Sequence, residues 1–211
     1  MIKAIFWDND GVLVDTERLY FLATKQVLAT VGIPLTKEQY IELFLVQGRG
    51  AWHLAADKGV SPGAIAQLRH ERNTLYSTLL GREHLLMAGV RDVLDALYGT
   101  YMMGIVTSSE PDHFALIHQT TGLLQYFQFV LTARDYTYSK PRPEPYLLAV
   151  ERSGRGKAEC LVIEDSERGL LAATAAGIQC IVVPSEFTRG SGFAGAYKVL
   201  ASITDLLAEL S

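Results

Sequence analysis

The stretch DNDGVLVDTE, residues 8–17, sets two carboxylates, Asp8 and Asp10, one residue apart with Gly11 directly behind them. If the chain stays extended across these positions, both side chains leave on the same face. Two buried acids that close repel each other and raise a pKa unless a cation lies beside them. A hard divalent ion with oxygen ligands answers that repulsion, and magnesium suits it best where phosphate oxygens complete the shell. One carboxylate can then attack phosphorus while the other handles a proton. An Asp-x-Asp pair alone is more often a structural turn, so the chemistry needs further support.

Three other stretches supply it. In GIVTSS, residues 104–109, Thr107 and Ser108 follow an apolar run and Pro111 is placed to open the next helix. A hydroxyl and exposed backbone N–H groups there suit phosphate oxygens, although the pattern also serves as an ordinary helix cap. In SKPRPEP, residues 139–145, Lys140 sits on a proline-rich turn, where an ammonium is fixed for an anion. By itself it would be an exposed turn lysine. In CLVIEDSERG, residues 160–169, an apolar run delivers the adjacent acids Glu164 and Asp165. Neighbours on an extended strand point opposite ways, so one ligates a metal directly and the other acts alongside it or through water. As an isolated pair they would be capping acids beside Ser166. Conjunction outweighs these plainer readings: acids, hydroxyl, lysine and acids occur in order, each near the end of a separate strand-like run.

Those runs are the elements that must position the chemistry. IKAIFW (2–7), YMMGIV (101–106), FQFVL (127–131), CLVIE (160–164) and QCIVVP (179–184) are nearly continuous apolar segments, the pattern of strands buried on both faces. From Thr16 the spacing turns helical, with Leu19, Leu22, Ala23, Val27, Leu28 and Val31 on one face and Gly32 as a stop. Ser61 followed by Pro62 marks another helix start. Strand signals are missing until residue 101, and strands then alternate with helical segments. The fold class read from this is α/β: a Rossmann-like parallel sheet, residues 1–14 and 87–211, interrupted by an inserted helical domain at 15–86 that acts as a lid. In such sheets ligands bind beyond the carboxyl ends of the strands, where all four stretches lie. The Gly and Ser of RGSGF (189–193) suggest a flexible surface loop.

Composition excludes several classes. With 211 residues, 49% hydrophobic, 20% charged and a net charge of -4, the chain has the profile of a folded globular protein. No Lys/Arg stripe exists to bind nucleic acid, and no run approaches the length of a membrane span. Cys160 and Cys180 lie in apolar runs and read as buried core thiols. MIKAIFW meets Asp8 too early to be a signal peptide, so cytoplasmic residence is expected.

Together DNDGVLVDTE, IVTSS, SKPRPEP and VIEDSERG resemble the four signature motifs of the haloacid dehalogenase-like superfamily, in particular its phosphatases with a helical cap inserted after the first strand. The resemblance implies that Asp8 is a nucleophile forming an aspartyl-phosphate, and that Asp10 protonates the leaving oxygen and later activates water. It implies Mg2+ held by Asp8 and Asp165, with Glu164 and the backbone carbonyl of Asp10. Thr107, Ser108 and Lys140 would bind the phosphoryl group of a small phosphate ester. In the loop VQGRGAW (46–52), Arg49 would touch a second anionic group, while Trp52 and His53 pack within the cap. A monomer or weak homodimer is expected. The nearest rival is a phosphomutase of the β-phosphoglucomutase kind, which commonly carries a histidine about where Tyr20 stands here. True dehalogenases of the superfamily lack the second acid, so Asp10 speaks against halide displacement. A receiver domain would carry its phosphorylated aspartate on a middle strand, not at the end of the first.

Overall fold

The computed structural model describes residues 1–210 and divides into two compact units, residues 1–15 with residues 85 onward, and Thr16–His84. The first is α/β. Its strands are β1 (Ala4–Trp7), β2 (Met102–Val106), β3 (Phe129–Leu131), β4 (Cys160–Glu164), β5 (Gln179–Val182) and β6 (Lys198–Val199). They form one sheet in the order β3-β2-β1-β4-β5-β6, and every pairing is parallel. β1 and β4 are buried along their whole length, which is why their sequences show no alternation of apolar and polar residues.

Register does most to place the site. Trp7 pairs with Ile105 on one side and with Ile163 on the other. The next residues of β1, β2 and β4 therefore leave the sheet at the same level, bringing Asp8 beside Val106 and Glu164. The strand order reverses direction at β1, whose neighbours are β2 and β4, and that crevice is where open parallel sheets bind ligands.

The second unit contains α1 (Glu17–Ala29), α2 (Lys37–Tyr40), α3 (Trp52–Asp57) and α4 (Pro62–Leu80), with a π-helical segment at Ile41–Val46. Among its described residues there is no strand. Ser61 caps α4, its hydroxyl accepting from the Ala64 N–H at 3.3 Å, with Pro62 at the first helical position. α1 buries Leu19, Ala23, Thr24, Val27 and Leu28. Leu22, expected on that face, is 43% exposed. Thr24 takes a buried place because its hydroxyl donates to the Tyr20 carbonyl at 2.7 Å, removing the cost of burying it.

The remaining helices, α5 (Val90–Leu97), α6 (Pro111–His118), α7 (Glu144–Ser153), α8 (Glu167–Ala176) and α9 (Leu206–Glu209), belong to the α/β unit. The unit boundaries fall one residue later and two residues earlier than 15–86. The Asp15 N–H donates to the Leu85 carbonyl at 2.8 Å, Met87 N–H donates to Leu13 at 3.0 Å, and Val14 bridges Leu86 antiparallel. These contacts bind both connecting segments to the α/β unit. Cys160 and Cys180 are buried free thiols. β6, two exposed residues at the sheet edge, had no sequence signal. In the Arg189–Phe193 stretch, Phe193 is half-buried against the core cluster. Among the described residues no helix is long and apolar enough to cross a membrane.

Candidate active site

Asp8, the first residue beyond β1, is 8% exposed, and its N–H continues the β1–β4 ladder by donating to the Ile163 carbonyl at 2.9 Å. The chain then turns. The Asn9 carbonyl accepts from the N–H groups of Val12, Leu13 and Val14, and Gly11 adopts φ +87. A side chain at Gly11 would be strained by that φ, and its Cβ would lie 2.2 Å from Asp165 Oδ2. The turn begins at Asn9, directly after Asp8. The two carboxylates have different partners. Asp10 is instead held by the β2 end, accepting at Oδ2 from Thr107 Oγ1 at 3.0 Å and Ser109 Oγ at 2.7 Å.

Lys140 arrives from the loop after β3 and is 5% exposed. Its ammonium donates to Asp8 Oδ1 at 2.6 Å, Glu164 Oε1 at 2.7 Å and the Val106 carbonyl at 2.9 Å, so all three of its hydrogens have acceptors. It is not an exposed turn lysine. The loop carrying it is pinned by Arg168, whose guanidinium donates to the Lys140 carbonyl at 2.7 Å. Burial works against the ammonium, but Asp8 and Glu164 outweigh it and hold the Lys140 pKa above its ordinary value.

Glu164, fully buried, is engaged on both oxygens. Oε1 accepts from Lys140 and from the Tyr146 hydroxyl at 2.6 Å; Oε2 accepts from Ser166 Oγ at 3.0 Å and the Asp165 N–H at 3.2 Å. Asp165, its neighbour, instead accepts at Oδ2 from the Thr188 hydroxyl at 3.2 Å. The adjacent acids have different partners, yet both reach the same cluster.

Asp8, Glu164 and Asp165 each present a carboxylate oxygen within 4.8 Å of the others. Lys140 supplies an ammonium to two of these three carboxylates, Asp8 and Glu164. Burial first, then the Glu164 charge, raises the Asp8 pKa, with Lys140 opposing and Asp10 adding to the rise. An all-oxygen, carboxylate-rich donor set fits a hard divalent cation.

Tight packing holds this arrangement. Gly169, in the first turn of α8, lies so close that an added Cβ would sit 1.8 Å from Glu164 Cδ. Gly169→Ala gains about 1 kcal/mol of helix propensity. The collision with a side chain already bonded at both oxygens costs more, about 3 kcal/mol. A net loss of about 2 kcal/mol is therefore expected in urea unfolding; a stabilised variant would show that Glu164 is free to move.

Of the other sequence candidates, Thr107 is buried, its oxygen also accepting the Ser109 N–H at 3.0 Å, while Ser108 is exposed at the β2 end. Arg49 lies in the helical unit, its guanidinium 3.0 Å from His53 Nε2. Trp52 is buried there, and the Arg72 guanidinium lies 5.5 Å from its ring. Sequence reading missed Ser109, Tyr146, Thr188 and Arg168 as partners of the acids and of the Lys140 loop. It also missed Asn9, fully buried between the two aspartates, and His118, whose Nε2 lies 2.8 Å from Asn9 Oδ1. The available signals were a polar residue between two acids and a histidine on the apolar stripe Phe114, Ile117, His118.

The model of the haloacid dehalogenase-like hydrolase family matches residues 5–183, spanning every one of these strand ends. The chain belongs to that family. Among relatives of this haloacid dehalogenase-like hydrolase, Protein CbbY of Cereibacter sphaeroides is 31% identical, covering 98% of this chain and 94% of its own. Fructose-1-phosphate phosphatase YqaB of Escherichia coli is 29% identical over 85% of this chain and 95% of its own. A solved structure of a CbbY variant from Rhodobacter sphaeroides in complex with xylulose-(1,5)bisphosphate superposes with a TM-score of 0.83 at 26% identity, covering 98% of this chain and 96% of that one.

Proposed function

We propose that this hydrolase is a magnesium-dependent phosphatase acting on a small sugar phosphate through an aspartyl-phosphate at Asp8. The observation that carries the reading is the different surroundings of the two aspartates: Asp8 lies in the carboxylate–lysine cluster, while Asp10 accepts from Thr107 and Ser109. Carboxylates in different environments suit different roles, one as nucleophile and one as proton carrier. The relatives named for fructose 1-phosphate and bound to xylulose-(1,5)bisphosphate support a sugar phosphate as substrate.

Asp8, Asp165 and the backbone carbonyl of Asp10 are the groups assigned to the cation. Glu164 offers an oxygen to the same cation and also holds Lys140 in place. Bound there, magnesium supplies neutralisation of phosphoryl charge. An Asp8 oxygen forms a bond to phosphorus as the bond to the leaving oxygen breaks, and Asp10 gives that oxygen its proton, releasing the sugar alcohol. Asp10 then takes a proton from water, whose oxygen bonds phosphorus and displaces Asp8, giving inorganic phosphate and the free carboxylate. Lys140 balances charge on Asp8 and the phosphoryl group, and Thr107 and Ser108 line the phosphoryl end. The 16–84 unit is the cap in this reading.

Mutases of the β-phosphoglucomutase kind commonly carry an imidazole about where Tyr20 stands. Tyr20 is instead packed edge-on against Tyr76 at 5.1 Å and Phe44 at 6.1 Å, with the Arg72 guanidinium 4.2 Å from its ring. Incubation with hexose and pentose phosphates, followed by phosphorus NMR, is expected to show inorganic phosphate with magnesium and no turnover after chelation by EDTA. Isomerised sugar phosphate without free phosphate would make the enzyme a mutase, and undiminished turnover in EDTA would remove the metal from the mechanism.

A further inference from the structure

Asn9 occupies the position between the two aspartates and is fully buried. A primary amide there is costly unless its hydrogen bonds are met inside the protein. Its oxygen meets His118 Nε2 at 2.8 Å, and its nitrogen donates to Asp10 Oδ2 at 3.3 Å. His118 ends α6, is 6% exposed, and places its other nitrogen 2.8 Å from Thr121 Oγ1. The same Thr121 oxygen accepts the Leu123 N–H at 3.3 Å.

These contacts have one consistent direction. Thr121, accepting from Leu123, gives its hydroxyl hydrogen to His118 Nδ1; Nε2–H donates to the Asn9 oxygen; the Asn9 amide donates to Asp10. We propose that Asn9 and His118 are positioning residues for Asp10, forming with Thr121 a buried relay that fixes the acid carboxylate opposite the leaving group. The proposal rests on the assignment of Asp10 as proton carrier. The relay requires a neutral imidazole, and burial, with Asp10 opposing, lowers the His118 pKa to about 4. Thr107, Ser109 and Asn9 all donate to the same oxygen, Oδ2, which fixes the rotation of the carboxylate. Loss of the amide leaves two donors near the β2 end and removes the one from the nucleophile's own turn. Modest misplacement of a reacting group is enough to slow catalysis.

A merely structural Asn–His pair would affect all substrates alike. In the first half-reaction, a relay that positions the acid affects only substrates needing a proton on the leaving oxygen; the later activation of water by Asp10 is common to all of them, so the test reads single-turnover release of the leaving group. The test compares a sugar phosphate, whose alkoxide leaves poorly, with 2,4-dinitrophenyl phosphate, whose phenolate leaves without protonation. Asn9→Leu combined with His118→Leu removes both polar partners together and leaves no orphaned group between them. We expect the single-turnover rate of alcohol release from the sugar phosphate to fall about 30-fold, within the range of general-acid catalysis, and that of phenolate release from the aryl ester to fall less than about threefold.

His118→Leu alone provides a second reading should the double variant not fold. It is expected to shift the ratio in the same direction, while His118→Gln, whose amide N–H can replace Nε2–H, restores it. Equal losses on both substrates, or no loss on either, overturn the relay. Asp10→Asn, read by the same single-turnover release of leaving group from the two esters, tests the reading beneath it: a loss confined to the sugar phosphate upholds Asp10 as the acid even if the relay fails, whereas equal losses in that step remove that role and the relay with it.

Discussion

Asp8→Asn lowers magnesium-dependent release of phosphate by about 10,000-fold or more, with folding intact. An amide is nearly the shape of the carboxylate it replaces, but it offers no anionic oxygen to bond phosphorus. Stability gives the control. Burial and the neighbouring Glu164 raise the Asp8 pKa, so the native protein holds that proton more tightly than the unfolded chain. A carboxyl with a raised folded-state pKa costs stability once it is ionised at higher pH. Replacing it by a neutral amide therefore leaves the thermal midpoint unchanged or higher at pH 7 without metal. A slow enzyme with an unchanged or raised midpoint assigns the loss to chemistry. An unchanged rate removes Asp8 from the role of nucleophile.

Lys140→Met has the opposite signature, because it lowers both rate and stability. The ammonium is the counter-ion shared by Asp8 and Glu164, at 2.6 and 2.7 Å, and all three groups are buried. Removing one partner of a buried pair leaves uncompensated charge and costs about 3–5 kcal/mol. The raised Lys140 pKa keeps the ammonium charged through the neutral range, so this stabilisation is present at pH 7 and is lost only as pH rises through that elevated pKa. Catalysis should fall about 100-fold or more, as when one group that stabilises transition-state charge is removed. Urea unfolding and steady-state kinetics read the two effects separately. Adding Glu164→Gln to Lys140→Met should recover part of the stability and none of the rate, since it neutralises the stranded carboxylate without restoring the cation near phosphorus. A Lys140→Met protein with native stability would mean that the buried triad does not hold the site together.

The strand ends were legible in the sequence because β1 and β4 are covered on both faces and must be apolar, so the first acid after each run marks where the sheet stops. The same pattern gave α4 its start, since Ser61 and Pro62 act locally. What the sequence concealed depends on distant partners. Nothing near Asp10 indicates that Gly11 turns the chain and hands its carboxylate to Thr107 and Ser109, close to a hundred residues away in sequence. Likewise, the engagement of Glu164 by Lys140 and Tyr146 arises only when the loop after β3 and α7 pack beside β4. Leu22 misled because a periodic apolar residue looks alike on either side of a helical stripe, whereas Thr24 earns its buried place through a bond to its own backbone. β6 is too short and too exposed to leave a hydrophobic pattern.

The central claim is that Asp8 and Asp165 share a divalent cation while Asp8 accepts the phosphoryl group. A crystal structure grown with magnesium and beryllium fluoride, which mimics an acyl-phosphate, tests both parts together. The expected result is beryllium bonded to an Asp8 oxygen, a magnesium ion touching Asp8 and Asp165, and Lys140 beside the fluorides. Magnesium bound away from these two carboxylates, or a fluoroberyllate bonded to any other residue, would contradict it.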